Sequence, residues 1–218
     1  MKTKMTKYFL ASLVLLISYP SIARSEITYD TTSRSVSNWR VEAELHLSVS
    51  SETLTIHRHK RCIKLNNYWC LKDVGWNGGI GKDRDSHTAF INRYFASRAA
   101  VRNFRTAYIK HNRKSALSIM SVYAPETDCI GSNAARRANG TCVHGNNNTR
   151  KYAKAVASGI TDDINADLKL FDQNNAATPA LSIFLGNISA FEIGGLRVSK
   201  ETIERGICME NSTCPWNH

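Results

Sequence analysis

A mainly α-helical single domain is predicted by three features of the chain. Apolar residues recur at helical spacing over several long stretches, start and stop residues stand at their ends, and six cysteines are spaced so as to staple short connecting loops. The connections are expected to be irregular, with room for a small β element near the N-terminus.

Residues 1–25 read as an export signal: Lys2, Lys4 and Lys7 precede the apolar run from Tyr8 to Ile17, and small residues follow. Cleavage after Ala23 or after Ser25 satisfies the small-residue rule. No later stretch is apolar enough to span a membrane, so a periplasmic or secreted protein is expected. The chain has 29 Lys and Arg against 18 Asp and Glu. Without residues 1–23 it keeps 26 against 18, a net charge of +8 that suits a polyanionic partner and equally suits ordinary basic solubility.

Residues 26–55 form an N-terminal extension, and 56–218 the helical domain. Within the extension, Val41, Ala43, Leu45, Leu47 and Val49 alternate as a strand requires, while a helix through Arg40 to Leu47 fits nearly as well. His57 and His59 follow among cations, a pattern that fits a metal or phosphate contact as well as a solvated basic turn. All six cysteines, Cys62, Cys70, Cys129, Cys142, Cys208 and Cys214, follow the signal. An even count in an exported chain reads as disulfides, and the spacing suggests 62–70, 129–142 and 208–214. Each staple closes a short loop worth on the order of 2–3 kcal/mol. The close Cys-x-x-Cys pairs of zinc sites are absent, so neither a metal nor a cofactor is expected.

The stretch from Gly75 to Asp128 organises the domain. Gly75, Gly78, Gly79 and Gly81 make a turn-rich loop that carries Asp83, Asp85 and His87, titratable groups on a loop between rigid flanks. Phe90, Tyr94, Val101, Phe104 and Tyr108 then fall on one helical stripe, with Arg98, Arg102 and Arg105 as a cationic ridge beside it. Ser115 to Tyr123 is a second helix, which Pro125 stops short of Glu126.

Cys129 to Cys142 encloses a polar loop. Lys151 to Gly159 reads as a short helix with glycine past its end, and Thr161-Asp162-Asp163 as a further helix start with Leu168, Leu170 and Phe171 as its apolar positions. Pro179 opens a helix that is apolar nearly all round, from Ala180 to Glu192. A carboxylate at that C-terminal end opposes the helix dipole, a placement that local stability does not favour. A last helix spans about Ser199 to Cys208.

Taken in order, these pieces resemble a family of phage virion structural and prophage-encoded proteins, some of them lysozyme-like or transglycosylase-like. The matching segments are Gly75–Gly78, Asp83 to Phe90, the helix from Arg98 to Tyr108, Ile119 to Glu126, Tyr152 to Gly159 and Phe191 to Gly194. Together they cover roughly residues 60–209. The resemblance implies a lysozyme-like helical domain associated with the bacterial cell wall. The family pattern usually has glycine at the position of Ser86, histidine at that of Phe191, and proline at that of Tyr68. The signal peptide and cysteines are additions to it.

Three functions follow as expectations. The first is cleavage of the peptidoglycan glycan strand by a lytic transglycosylase or muramidase. Glu192 is then the acid, Glu126, Asp83 and Asp85 supply any second carboxylate, and His87 orients one of them. The second is a non-catalytic module that binds peptidoglycan or another envelope polyanion. Trp69, Trp76 and Tyr123 would stack on sugars, and Arg98, Arg102 and Arg105 would contact anions. The third is a secreted toxin acting on nucleic acid, for which no nuclease motif is present.

Overall fold

The computed structural model describes residues 61–83, 85–130 and 136–211. The signal segment, the N-terminal extension with its alternating stretch, His57, His59 and Cys214 lie outside the described residues. Helices α1 (Arg61–Lys64), α2 (Arg93–Arg105), α3 (Ala116–Tyr123), α4 (Thr149–Ala157), α5 (Pro179–Glu192) and α6 (Lys200–Glu210) surround a continuous apolar core. One two-stranded antiparallel sheet joins β1 (Gly79–Lys82) to β2 (Thr88–Phe90). Among the described residues no helix is long and apolar enough to cross a membrane.

The helix starts follow from side-chain capping. Asn92 accepts from the backbone N–H groups of Tyr94 and Phe95 and starts α2, which moves Phe90 out of the helix and into β2. Ser115 and Ser118 cap each other reciprocally at α3, Asn148 accepts from Lys151 N at α4, and Ser199 accepts from Thr202 N at α6. Pro179 occupies the first turn of α5, where its missing N–H costs nothing.

Packing is closest between α2 and α6. A Cβ added to Gly206 would lie 2.1 Å from Ser97 Oγ, so glycine is required for the two helices to meet. The buried face of α2 is Ala96, Ala99, Ala100, Val101 and Phe104, with Tyr94 half-buried at its edge. The predicted stripe is therefore rotated toward small residues that admit α6. Helix α2 continues into a π-helical turn, Thr106–Lys110, from which Tyr108 donates to Asp167 Oδ1 at 2.5 Å. Helix α5 runs through the core with Leu181, Phe184, Leu185 and Ile188 all at 0 % exposure, as its nearly uniform apolarity requires.

Two expectations need correction. The helix read from Thr161 does not form, because Asp163, Asp167 and Asp172 each accept the N–H of the residue two positions on and turn the chain locally. Leu168 N instead bonds to Lys114 O, and Leu168 and Leu170 reach the core from an irregular segment in which Lys169 takes φ 50°. Trp69 is fully buried and donates Nε1–H to Leu185 O at 3.0 Å, so it is a core residue with no face for a ligand.

Two disulfides, Cys62–Cys70 and Cys129–Cys142, join the pairs that the spacing suggested. Cys208 is also disulfide-bonded. Between Cys62 and Cys70, buried Asn67 accepts from Leu71 N and donates to the carbonyls of Leu71 and Thr88, holding the stapled loop against β2.

Candidate active site

A cleft of about 1470 Å³ runs between the stapled loop and glycine loop on one side, and α2, α3, α4 and the end of α5 on the other. Its walls carry two groups of polar side chains. They differ in what holds them.

At one end stands Glu192, the last residue of α5 and half-buried. Tyr152 Oη, from α4, donates to Glu192 Oε1 at 2.5 Å. Phe191 lies flat on the Tyr152 ring, with centroids 3.8 Å apart and planes 18° apart, and the Tyr123 ring meets Tyr152 edge-on at 6.0 Å. Tyr123 Oη donates in turn to the carbonyl of Trp69. Burial raises the pKa of both phenols well above the ordinary tyrosine value, and the charge of Glu192 adds to the rise. Both therefore remain O–H donors throughout the physiological range. Three helices and the buried Trp69 loop thus place one carboxyl group on the cleft wall.

At the other end the glycine loop folds over Asp83. Its Oδ1 accepts from His87 N at 2.8 Å and Asp85 N at 3.0 Å, and lies 3.3 Å from His87 Nδ1. Because a carboxylate only accepts, Nδ1 carries the hydrogen in that contact. Arg61 Nε stands 3.0 Å from Asp83 Oδ2, and its guanidinium also pairs with Asp85. Burial pushes the Asp83 pKa up, but the bonds from His87 and the charge of Arg61 outweigh it and leave the group below the ordinary aspartate value. Burial lowers the His87 pKa, reinforced by Arg61 and Lys72 and opposed by Asp83, so His87 is a neutral donor. Gly78, at φ 80°, permits the loop to close on α2: a Cβ there would lie 2.3 Å from Phe95 Cγ.

The candidate residues separate accordingly. Glu192, Tyr123, Trp76, Arg102, Asp85 and His87 line the cleft. Asp83 is buried in the clasp, and Glu126 is exposed and does not line the cleft, its carbonyl accepting from Asn146 Nδ2. The arginine ridge also divides. Arg98 is 3.1 Å from Glu210 Oε2 and Arg105 donates to Asn211 Oδ1, both toward α6, whereas Arg102 Nε approaches Glu210 Oε1 only to 4.0 Å and its side chain stays 62 % exposed. Trp76 Nε1 donates to Lys72 O at 2.7 Å, which fixes the ring at the cleft wall.

Sequence reasoning missed Tyr152 and Asp128 as cleft residues, and Arg61 as the partner of both aspartates. For Tyr152 the sequence shows only a phenol among the apolar positions of α4; its contact with Glu192 comes from the packing of α4 on α5. Among the described residues, no group of three or more His, Cys, Asp or Glu side chains is placed to hold a metal ion.

No family model and no curated protein matches the chain. The functional reading therefore rests on the cleft.

Proposed function

We propose that the protein is an exported, lysozyme-like enzyme that cleaves the glycan strand of peptidoglycan as a lytic transglycosylase, with Glu192 as its single acid and base. The observation that carries this reading is the Tyr152 hydroxyl bonded to Glu192 on the wall of a long cleft. A glycan-cleaving acid must hold its proton near neutrality. Glu192 is half-buried at the C-terminal end of α5 and lines the cleft, where its carboxyl group can meet a bound strand.

In the proposed step, Glu192 gives its proton to the departing glycosidic oxygen as the C1–O bond breaks. The C6 hydroxyl of the same sugar then attacks C1, and the Glu192 carboxylate takes the hydroxyl proton. The product is a 1,6-anhydro ring; water is not consumed, and the acid is regenerated. Tyr152 donates to the carboxylate formed between the two proton transfers and keeps it oriented. A two-carboxylate route is less well supported, because Asp85 is already paired with Arg61 and Glu126 does not line the cleft. The disulfides fit an oxidising compartment such as the periplasm or exterior.

The test is incubation of the oxidised protein, freed of its leader, with peptidoglycan sacculi beside a Glu192→Gln variant. Soluble muropeptides from the wild type alone are expected. If both proteins sediment with sacculi and neither releases anything, the domain is a wall-binding module and the catalytic reading fails.

A further inference from the structure

The cleft carries two features that acid catalysis does not use. The first is its rim. Val74, Val122, Ile130 and Phe191 are 72 %, 57 %, 47 % and 42 % exposed, and all four line the cleft, although they come from separate segments. Large apolar side chains left in water around one opening mark a surface that a ligand covers. The second is charge. Arg113, in the turn after the π-helical segment, and Lys151, in the first turn of α4, also line the cleft. Among the described residues neither has a carboxylate partner. Lys151 moreover sits where a cation works against the helix dipole, and it is adjacent in sequence to the tyrosine that holds Glu192.

We infer that the cleft recognises glycan strands that still carry their acidic peptide stems, with Arg113 and Lys151 pairing to stem carboxylates and the apolar rim packing on alanine and N-acetyl methyl groups. The inference rests on the reading of the cleft as a cell-wall glycan site and names which form of that glycan it takes. A neutral N-acetylglucosamine polymer offers the methyl groups without the carboxylates. A strand stripped of its stems by an amidase keeps one carboxylate on each lactyl group, close to the ring. Only the stem-bearing strand extends both methyl groups and carboxylates outward to the rim.

Binding separates this inference from catalysis. The Glu192→Gln protein would be titrated with strands of equal length in three forms: stem-bearing, amidase-stripped, and neutral N-acetylglucosamine oligomer. Tryptophan fluorescence or calorimetry gives each Kd. The stem-bearing strand is expected to bind roughly tenfold more tightly than the stripped one, and the neutral oligomer most weakly. Arg113→Ala and Lys151→Ala, each added to this protein, should weaken stem-bearing binding about threefold to fivefold and leave stripped-strand binding unchanged. Both side chains reach solvent, and unchanged thermal unfolding verifies the fold. Equal affinity for stem-bearing and stripped strands, or a preference that persists when both cations are removed, overturns the inference. Wild-type cleavage of the same strands reports on the other reading. Stem-selective binding without any cleavage removes the role of Glu192 and keeps the recognition, whereas cleavage without stem preference does the reverse.

Discussion

The two ends of the cleft each hold a carboxyl group, and hold it differently. At the glycine loop, Asp83 Oδ1 receives two backbone N–H groups and the His87 ring, while Oδ2 is ion-paired to Arg61 Nε at 3.0 Å without making a hydrogen bond, so the charge is balanced within the loop and α1. At the end of α5, Glu192 is held by a neutral phenol and shares the cleft wall with Tyr152, Tyr123 and Phe191. A carboxylate surrounded by cations and amides fixes a loop. A carboxyl group oriented by a hydroxyl on a cleft wall is within reach of a ligand. What separates the two acids is where they sit: Asp83 is buried inside the clasp, and Glu192 lines the cleft.

This contrast predicts opposite consequences for the two acids. Glu192→Gln should lower glycan cleavage by about a thousandfold, the range for removal of a general acid and base, with the unfolding midpoint unchanged. Asp83→Ala should instead cost about 3 kcal/mol of stability, because it leaves the loop amides unpaired and Arg61 with Asp85 alone, and activity should recover wherever the protein is folded. Thermal unfolding and sacculus digestion on both variants decide between them. If Asp83→Ala abolishes cleavage in fully folded protein, the division drawn here is wrong.

Acidification tests the clasp by itself. Both Asp83 and His87 have folded-state pKa values below their ordinary ones, so the unfolded chain binds protons first as pH falls. Their stabilisation is complete above the ordinary histidine value of about 6.5. It declines below that as unfolded His87 protonates, and declines further below about 4 as Asp83 does. Denaturant midpoints across pH 7 to 3 should fall in these two stages, and the second stage should vanish in Asp83→Ala. The smallest effect is expected from Tyr152→Phe, which keeps the ring under Phe191 and removes only the donor to Glu192. Cleavage kcat should drop about tenfold with KM and stability nearly unchanged.

Capping chemistry made much of the fold legible. Ser115 and Ser199 mark helix starts through short-range capping contacts, and Pro179 through its fixed backbone angle, all of which a sequence displays directly. The same locality misled at Thr161-Asp162-Asp163, where aspartates that resemble a first helical turn close turns of their own. Glu192 was legible because a polar residue ends an otherwise apolar helix. Tyr152 was not, because only the packing of α4 on α5 carries its hydroxyl to a carboxyl group forty residues away. Asp83, Asp85 and His87 were legible as a polar cluster, but their closure on Arg61 depends on tertiary placement of α1 and cannot be read from spacing.

The proposed mechanism has Glu192 act alone, and the oxygen in the product tests that most directly. Sacculi would be digested in H₂¹⁸O by the wild-type protein, and the strand ends examined by mass spectrometry. The account predicts 1,6-anhydro ends that contain no ¹⁸O and are absent with Glu192→Gln. Reducing ends carrying one ¹⁸O would contradict it, since they require an attacking water and a second group to activate it.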